Sequence, residues 1–206
     1  MKHIFLNIIR MLGKLFPYSM SVRLKSYRNI LYTAWMSNYI GEVGRSTVIE
    51  KPCQLQAGGE RIKIGSRSCI QAYSVLGCWK GDTQSSPSIT IGNNCCLGEY
   101  NHITAINSIT IGDGLLTGRF VIISDNNHGG LSEAEADIRP GDRKLVSKGS
   151  ITIGKNVWIG DKATILGGVD IGNNVIIAAI SVVRSDIPDN CLVAGNPAII
   201  KKRIKK

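Results

Sequence analysis

The residues best suited to chemistry are Ser124-Asp125-Asn126-Asn127-His128-Gly129-Gly130. A neutral imidazole can take a proton from a hydroxyl near physiological pH, and neighbouring Asp and Asn side chains are of the kind that fix its tautomer. The two glycines free the backbone beside the ring. A lone histidine is more often structural than catalytic, so the weight given to His128 depends on what surrounds it in the fold. The other two histidines, His3 and His102, do not assemble with it into a ligand set, and no catalytic metal is expected. No Gly-x-Ser-x-Gly elbow, phosphate-binding loop or dinucleotide fingerprint occurs. Cys53, Cys69, Cys78, Cys95, Cys96 and Cys191 form no C-x-x-C pair. They read as reduced core residues of a cytosolic protein, with one of the adjacent pair Cys95-Cys96 pointing inward.

The element that must position His128 is a repeat. In the stretch 151–183, large aliphatics recur at Ile153, Ile159, Ile165, Ile171, Ile177 and Val183. Small or β-branched residues follow four positions later at Val157, Ala163, Val169, Val175 and Ser181. A helix needs spacings of three and four, and an ordinary strand needs alternation. A constant period of six fits a coil of very short strands joined by tight corners, with the aliphatics pointing into a prism. The same count runs through Val43, Ile49 and Leu55; Ile64, Ile70 and Leu76; Ile91, Leu97 and Ile103; and Ile111, Thr117 and Ile123. At three slots per turn this predicts about six triangular coils. Each shift of phase marks an insertion at a corner: 57–62, 77–88 and, longest, 124–150, which holds His128. Insertions on a rigid scaffold are where sites are built. Trp79, in the second insertion, either lines a groove or packs.

The ends differ from the repeat. The net charge of +10 divides into +6 over residues 1–45, +5 over 199–206 and −1 between them. Residues 1–42 read as a helical, basic amphipathic segment. Ile4, Phe5, Ile8, Ile9, Leu12, Leu15 and Phe16 make an apolar stripe that Pro17 breaks. Ser19 or Ser21 could cap a second helix with Leu24, Tyr27, Leu31 and Trp35 on its apolar face. This segment is expected either to cap the first coil or a neighbouring subunit, or to anchor on the inner face of a membrane, or both. No apolar run is long enough to span a bilayer. Nucleic acid is not expected as a partner, because no aromatic and basic stripe accompanies the charge. The expected organisation is thus a helical segment at 1–42, a β-helix at 43–189 with its excursion at 124–150, and a tail at 190–206 forming a short helix or frayed end.

One resemblance is specific. Asn156-Val157-Trp158-Ile159-Gly160, the run from Ile165 to Gly172, Ser181-Val182-Val183, Asp186-Ile187-Pro188 and Ala194-Gly195-Asn196-Pro197 resemble the hexapeptide-repeat acyltransferases. The similarity covers roughly residues 43–200. It is closest to the branch of galactoside and maltose O-acetyltransferases and the O-acetyltransferases of capsule, O-antigen and exopolysaccharide synthesis. The first 40 residues do not match the opening of the galactoside and maltose enzymes, which favours the polysaccharide branch. The resemblance implies a mainly β, left-handed parallel β-helix, a homotrimer, and active sites in clefts between subunits. The hand rests on the resemblance alone, since ordinary crossovers are right-handed. Acetyl-CoA is implied as co-substrate, touched by Gly160, Asp161, Ala179, Arg184, Ser185 and the basic-tail residue Lys202. Trp158 would shape the cleft near the thioester or serve structure only.

The sequence departs from the family at three places. Ala178-Ala179-Ile180 replaces Gly-Ala-Gly, so that Ile180 crowds the CoA arm or enters the core. Ile199 stands where some members have arginine, and Gly98 where the galactoside branch has an acceptor-binding asparagine. Asn101 could take over that last role, and Asp125 and Asn127 could orient His128 or the acceptor. The expected activity is acetyl transfer to a sugar hydroxyl with His128 as general base, in the cytoplasm, where it could sit peripherally at the inner membrane face. N-acetylation of a nucleotide-linked amino sugar needs the same base. An antibiotic O-acetyltransferase and a non-catalytic trimeric scaffold are weaker readings.

Overall fold

The computed structural model of the chain describes residues 2–80, 86–130 and 132–204. The middle of the second insertion, the Leu15 side chain and the last two lysines lie outside the described residues.

Six parallel coils stack into a triangular prism. Its first face holds strands Glu42–Val43, Ile62–Ile64, Ser88–Ile91, Ser108–Ile111, Ile151–Ile153 and Val169–Ile171, in that spatial order. The second face runs Val48–Ile49, Cys69–Ile70, Cys96–Leu97, Leu116–Thr117, Trp158–Ile159, Ile176–Ile177 and Cys191–Ala194. The third runs Gln54–Leu55, Val75–Cys78, His102–Ala105, Ile122–Ser124, Thr164–Leu166 and Val182–Val183. Register is in phase throughout: Ile64, Ile91, Ile111, Ile153 and Ile171 stand in one column. Leu55, Leu76, Ile103, Ile123, Ile165 and Val183 stand in another. All are buried except Leu55, which is half-buried at the open end of the first coil, as is Val43, the partner of Ile64 there. Fully burying one aliphatic of this size contributes about 1.5–3 kcal/mol, and the repeat applies that at every slot.

Thr117 occupies an aliphatic slot and stays buried because its hydroxyl is used. It accepts the Gly98 N–H at 2.9 Å and a hydrogen bond from the Asn101 amide. The four most buried cysteines, Cys53, Cys78, Cys95 and Cys191, join the same core, and all six thiols are free. Burial pushes Cys53 up to about 12 and Cys78 up to about 11, so these thiols are poor nucleophiles.

Two helices precede the prism, α1 (Lys2–Leu15) and α2 (Tyr18–Met36). Pro17 separates them as expected. It also serves as the N-cap of α2, where no side chain caps the helix; the Ser21 hydroxyl instead bonds back to the Tyr18 carbonyl. The face of α2 that meets the coil is not its apolar stripe. Asn29, Thr33 and Met36 are buried, while Leu24, Tyr27, Leu31 and Trp35 are exposed. Hydrogen bonds decide this: Thr33 Oγ1 receives the Ile49 N–H at 2.8 Å, and the Tyr32 hydroxyl donates to the Cys53 carbonyl at 2.9 Å. The open edge of the first coil needs polar partners, which an aliphatic stripe cannot supply.

The far end is closed differently from the expected helix or frayed tail. Ile199–Arg203 is a strand, antiparallel to Cys191–Ala194. The chain reverses through Gly195-Asn196-Pro197, and the returning strand pairs the last edge of the second face. Its three cations, Lys201, Lys202 and Arg203, then face solvent along that edge.

Candidate active site

His128 lies on the excursion, in a two-residue strand, Asn127–His128, paired antiparallel with Leu145–Val146. The excursion is rooted on the next coil. Gly167 lies so close to Asp125 that a Cβ there would meet its carbonyl oxygen at 2.9 Å. Gly168, at φ +78°, faces the returning Lys148 backbone in the same way. Two glycines at one corner therefore make room for the departure and return of the excursion.

The ring is exposed and borders a cleft of about 540 Å³ with Gln56, Trp79, His102, Thr104, Asn126, Gly141, Arg143 and Leu145. The cleft runs down the third face, from the excursion to Gln56 on the first coil. Trp79 thus lines the groove. Arg143 holds the excursion together through the Ile138 carbonyl at 2.9 Å and brings a cation to the cleft wall. His102 is half-buried here, and burial pushes its pKa below the ordinary histidine value. Asn126 belongs to the polar cluster around His128, but Gln56, His102 and Arg143 had no signal in the chain order. They meet only because coils stack the third face and the excursion folds back over it.

Two of the three predicted orienting residues, Asp125 and Asn101, are engaged with the coil. Asp125 is buried, and its carboxylate accepts the Ile106 and Asn107 N–H groups, both at 2.8 Å. Burial raises its pKa despite those bonds. Asn101 is also buried, its amide donating to Thr117 and its oxygen accepting the Val121 N–H at 2.8 Å. Asn101 thus lies within the coil and does not line the cleft. Gly98 itself has no room for a side chain, since a Cβ would lie 2.2 Å from the Gly118 carbonyl oxygen. Asn127 is exposed beside His128 but does not line the cleft. Asn126 does, with its amide donating to the Thr104 carbonyl at 3.1 Å. Among the described residues no side chain hydrogen-bonds the His128 ring.

A second depression, of about 450 Å³, lies on the second face. It gathers four of the predicted CoA contacts, Trp158, Gly160, Asp161 and Ala179, with Ile176, Ile177, Ala178 and Leu192. Gly160 is a glycine for packing, because a Cβ would meet the Ala179 nitrogen at 2.5 Å. Asp161 shows how a corner is wired: its carboxylate accepts the Arg119 N–H one coil below at 2.8 Å. The equivalent residue one coil above Asp161 is Ala179, which has no side-chain acceptor. The Asp161 N–H consequently points to no acceptor among the described residues. Lys202 stands opposite Leu192 in the terminal ladder, at the margin of this depression. Arg184 and Ser185 are exposed on a different edge, after the last third-face strand, and do not join it. Ile180 neither enters the core nor lines the depression. It projects from the corner at φ +62°, 70% exposed.

The two depressions lie on adjacent faces of one chain, separated by a corner. Along that corner Tyr73, Tyr100 and Phe120 stack at 4.7 and 4.8 Å between ring centres, nearly parallel, and all three are exposed.

Comparison with known proteins agrees with the architecture. The family described as bacterial transferase hexapeptide (six repeats) matches residues 150–185. Escherichia coli WbbJ, provisionally named a lipopolysaccharide-biosynthesis O-acetyl transferase, is 40% identical over 118 residues, 55% of this chain and 60% of that protein. The galactoside O-acetyltransferase of Escherichia coli is 35% identical over 122 residues, 57% of this chain and 55% of that protein. The chain thus spans little more than half the length of these relatives. Among solved structures, a hexapeptide-repeat-containing acetyltransferase from Vibrio cholerae has a TM-score of 0.58 at 25% identity, covering 91% of this chain and 90% of that one. A mutant of AntD, an N-acyltransferase from Bacillus cereus solved with dTDP and coenzyme A, has a TM-score of 0.69 at 22% identity, covering 84% and 89%. At that identity the likeness concerns the fold. The six-residue repeat and the three-faced coil agree with these architectures, and the fold is the left-handed parallel β-helix.

Proposed function

We propose that the protein transfers an acetyl group from acetyl-CoA to a sugar hydroxyl, in the synthesis of a surface polysaccharide such as O-antigen. The observation that carries this is the exposed His128 on the wall of a polar cleft with His102, Asn126 and Arg143. His128 takes the proton of the acceptor hydroxyl as its oxygen attacks the thioester carbonyl. The tetrahedral adduct collapses, and the CoA thiolate leaves with the proton that His128 returns. The second-face depression suits the pantetheine arm. It offers an apolar floor, the unpaired Asp161 N–H for an amide carbonyl, and Lys202 for phosphate. The named sugar O-acetyltransferases among the relatives support the acceptor class.

One chain presents these halves on different faces, so a complete site needs a second copy. In a trimer with the aromatic corner toward its axis, the second face of each subunit meets the third face of the next. This places one subunit's CoA depression against its neighbour's His128 cleft.

Replacing His128 with alanine should lower kcat by about 10²–10⁴ with the oligomer intact. Labelled acetyl-CoA offered with free, lipid-linked and nucleotide-linked sugars measures it. Near-wild-type turnover by His128→Ala overturns the reading. Acetyl transfer confined to a nucleotide-linked amino sugar replaces the hydroxyl acceptor with an amine.

A further inference from the structure

The N-terminal helices present an apolar surface that the β-helix does not use. Every described side chain of α1 is exposed, including Ile4 at 67% and Phe5 at 64%. At about 3.6 residues per turn, His3, Asn7, Arg10 and Lys14 fall on one narrow strip, and Phe5, Ile8, Ile9 and Leu12 on the opposite side. On α2 the outward stripe Leu24, Tyr27, Leu31 and Trp35 is 53–72% exposed. The two helices carry six Lys and Arg residues and no acid. Of these, only Lys25 is in an ion pair among the described residues, with Glu50 at 3.0 Å.

Sidedness, apolar area and unopposed positive charge together select an anionic, two-layered partner. A second copy of the same surface would bring like charges together. No described helix is long and apolar enough to cross a membrane, which leaves an in-plane position. We propose that α1, with the outward stripe of α2, docks on an anionic lipid bilayer, the apolar side entering the headgroup boundary and Arg10 and Lys14 meeting lipid phosphates. The β-helix then stands on the membrane by its first coil. The Gln56 end of the His128 cleft opens on that same coil. The basic terminal strand lies at the far end of the second face, seven strand spacings from the first coil, roughly 34 Å at about 4.8 Å per spacing, and takes no part.

The inference stands apart from the acyltransferase reading, and its test needs no activity. The whole protein is sedimented with vesicles of phosphatidylcholine, with and without phosphatidylglycerol. Binding to the anionic vesicles should exceed binding to the neutral ones at least about tenfold and weaken with salt. Ile8→Asp with Leu12→Asp should abolish it, and Arg10→Glu with Lys14→Glu should reduce it about tenfold or more. His128→Ala and Lys201→Ala should bind as the wild type does. Absence of binding to anionic vesicles overturns the proposal. So does a change of oligomeric state in the Ile8→Asp, Leu12→Asp variant, which would assign the surface to a second copy.

Discussion

Asp125 and Asn101 sit close to His128 and to the departing family position, and both spend their polar groups on the coil backbone. A buried N–H left unmet costs about 1–3 kcal/mol, so corners recruit the nearest acceptor before any ligand can. Sequence proximity reveals that such groups are near the site but not which way they point. His102 is the converse case, with no motif around it, yet the stacking of the third face brings it to the cleft. Its depressed pKa makes a prediction. The folded chain holds the ring neutral, while the unfolded chain protonates it at the ordinary value of 6.5. The resulting stability is complete above that value and is lost as pH falls from it to the depressed one. Urea midpoints should therefore be lower at about pH 5.5 than at about pH 7.5, and His102→Gln should narrow the difference.

At the scale of elements, the excursion is only as well placed as its roots. Asp125 leaves and Lys148 returns over Gly167-Gly168, a corner without side chains. Gly167→Val should push the Asp125 backbone away, destabilise the protein by about 1–3 kcal/mol and expose the excursion to proteolysis. The β-helix itself should persist by circular dichroism. Activity should fall more than the loss of stability explains, because His128 moves with the root. The terminal strand and the docking face of α2 show the same force at the two ends. Each end of a solenoid leaves strand edges unpaired, and the chain meets them with whatever supplies hydrogen bonds. Hydrophobic pattern alone does not reveal which face of α2 meets the coil or that the tail is a strand, because it takes no account of that demand.

For the whole molecule, the separation of the two depressions onto adjacent faces is the consequential fact. If the proposed site is shared between copies, two inactive variants should rescue one another. His128→Ala keeps a sound second face, and Ala179→Arg keeps a sound third face. Unfolded together and refolded in equal amounts, they should restore activity to about one quarter of wild type, the share of interfaces that pair two intact halves. Each refolded alone should stay inactive. No recovery in the mixture, with mixed oligomers demonstrated, would confine the site to one chain.

The six-residue period by itself determined the coil, its slots and their register, because an inward position in such a fold recurs at a fixed count and only aliphatic or well-satisfied side chains survive there. It also located the excursion and its histidine, since a break in a strict repeat is visible in one dimension. Only the tertiary structure decided which polar groups line the cleft, which side of α2 is covered, and that the two depressions lie around a corner from each other. Those outcomes depend on hydrogen bonds between residues 16–21 positions apart, from coil to coil or from α2 to the first coil. Such pairings are set by the rise and corner geometry of the solenoid, which no local pattern encodes.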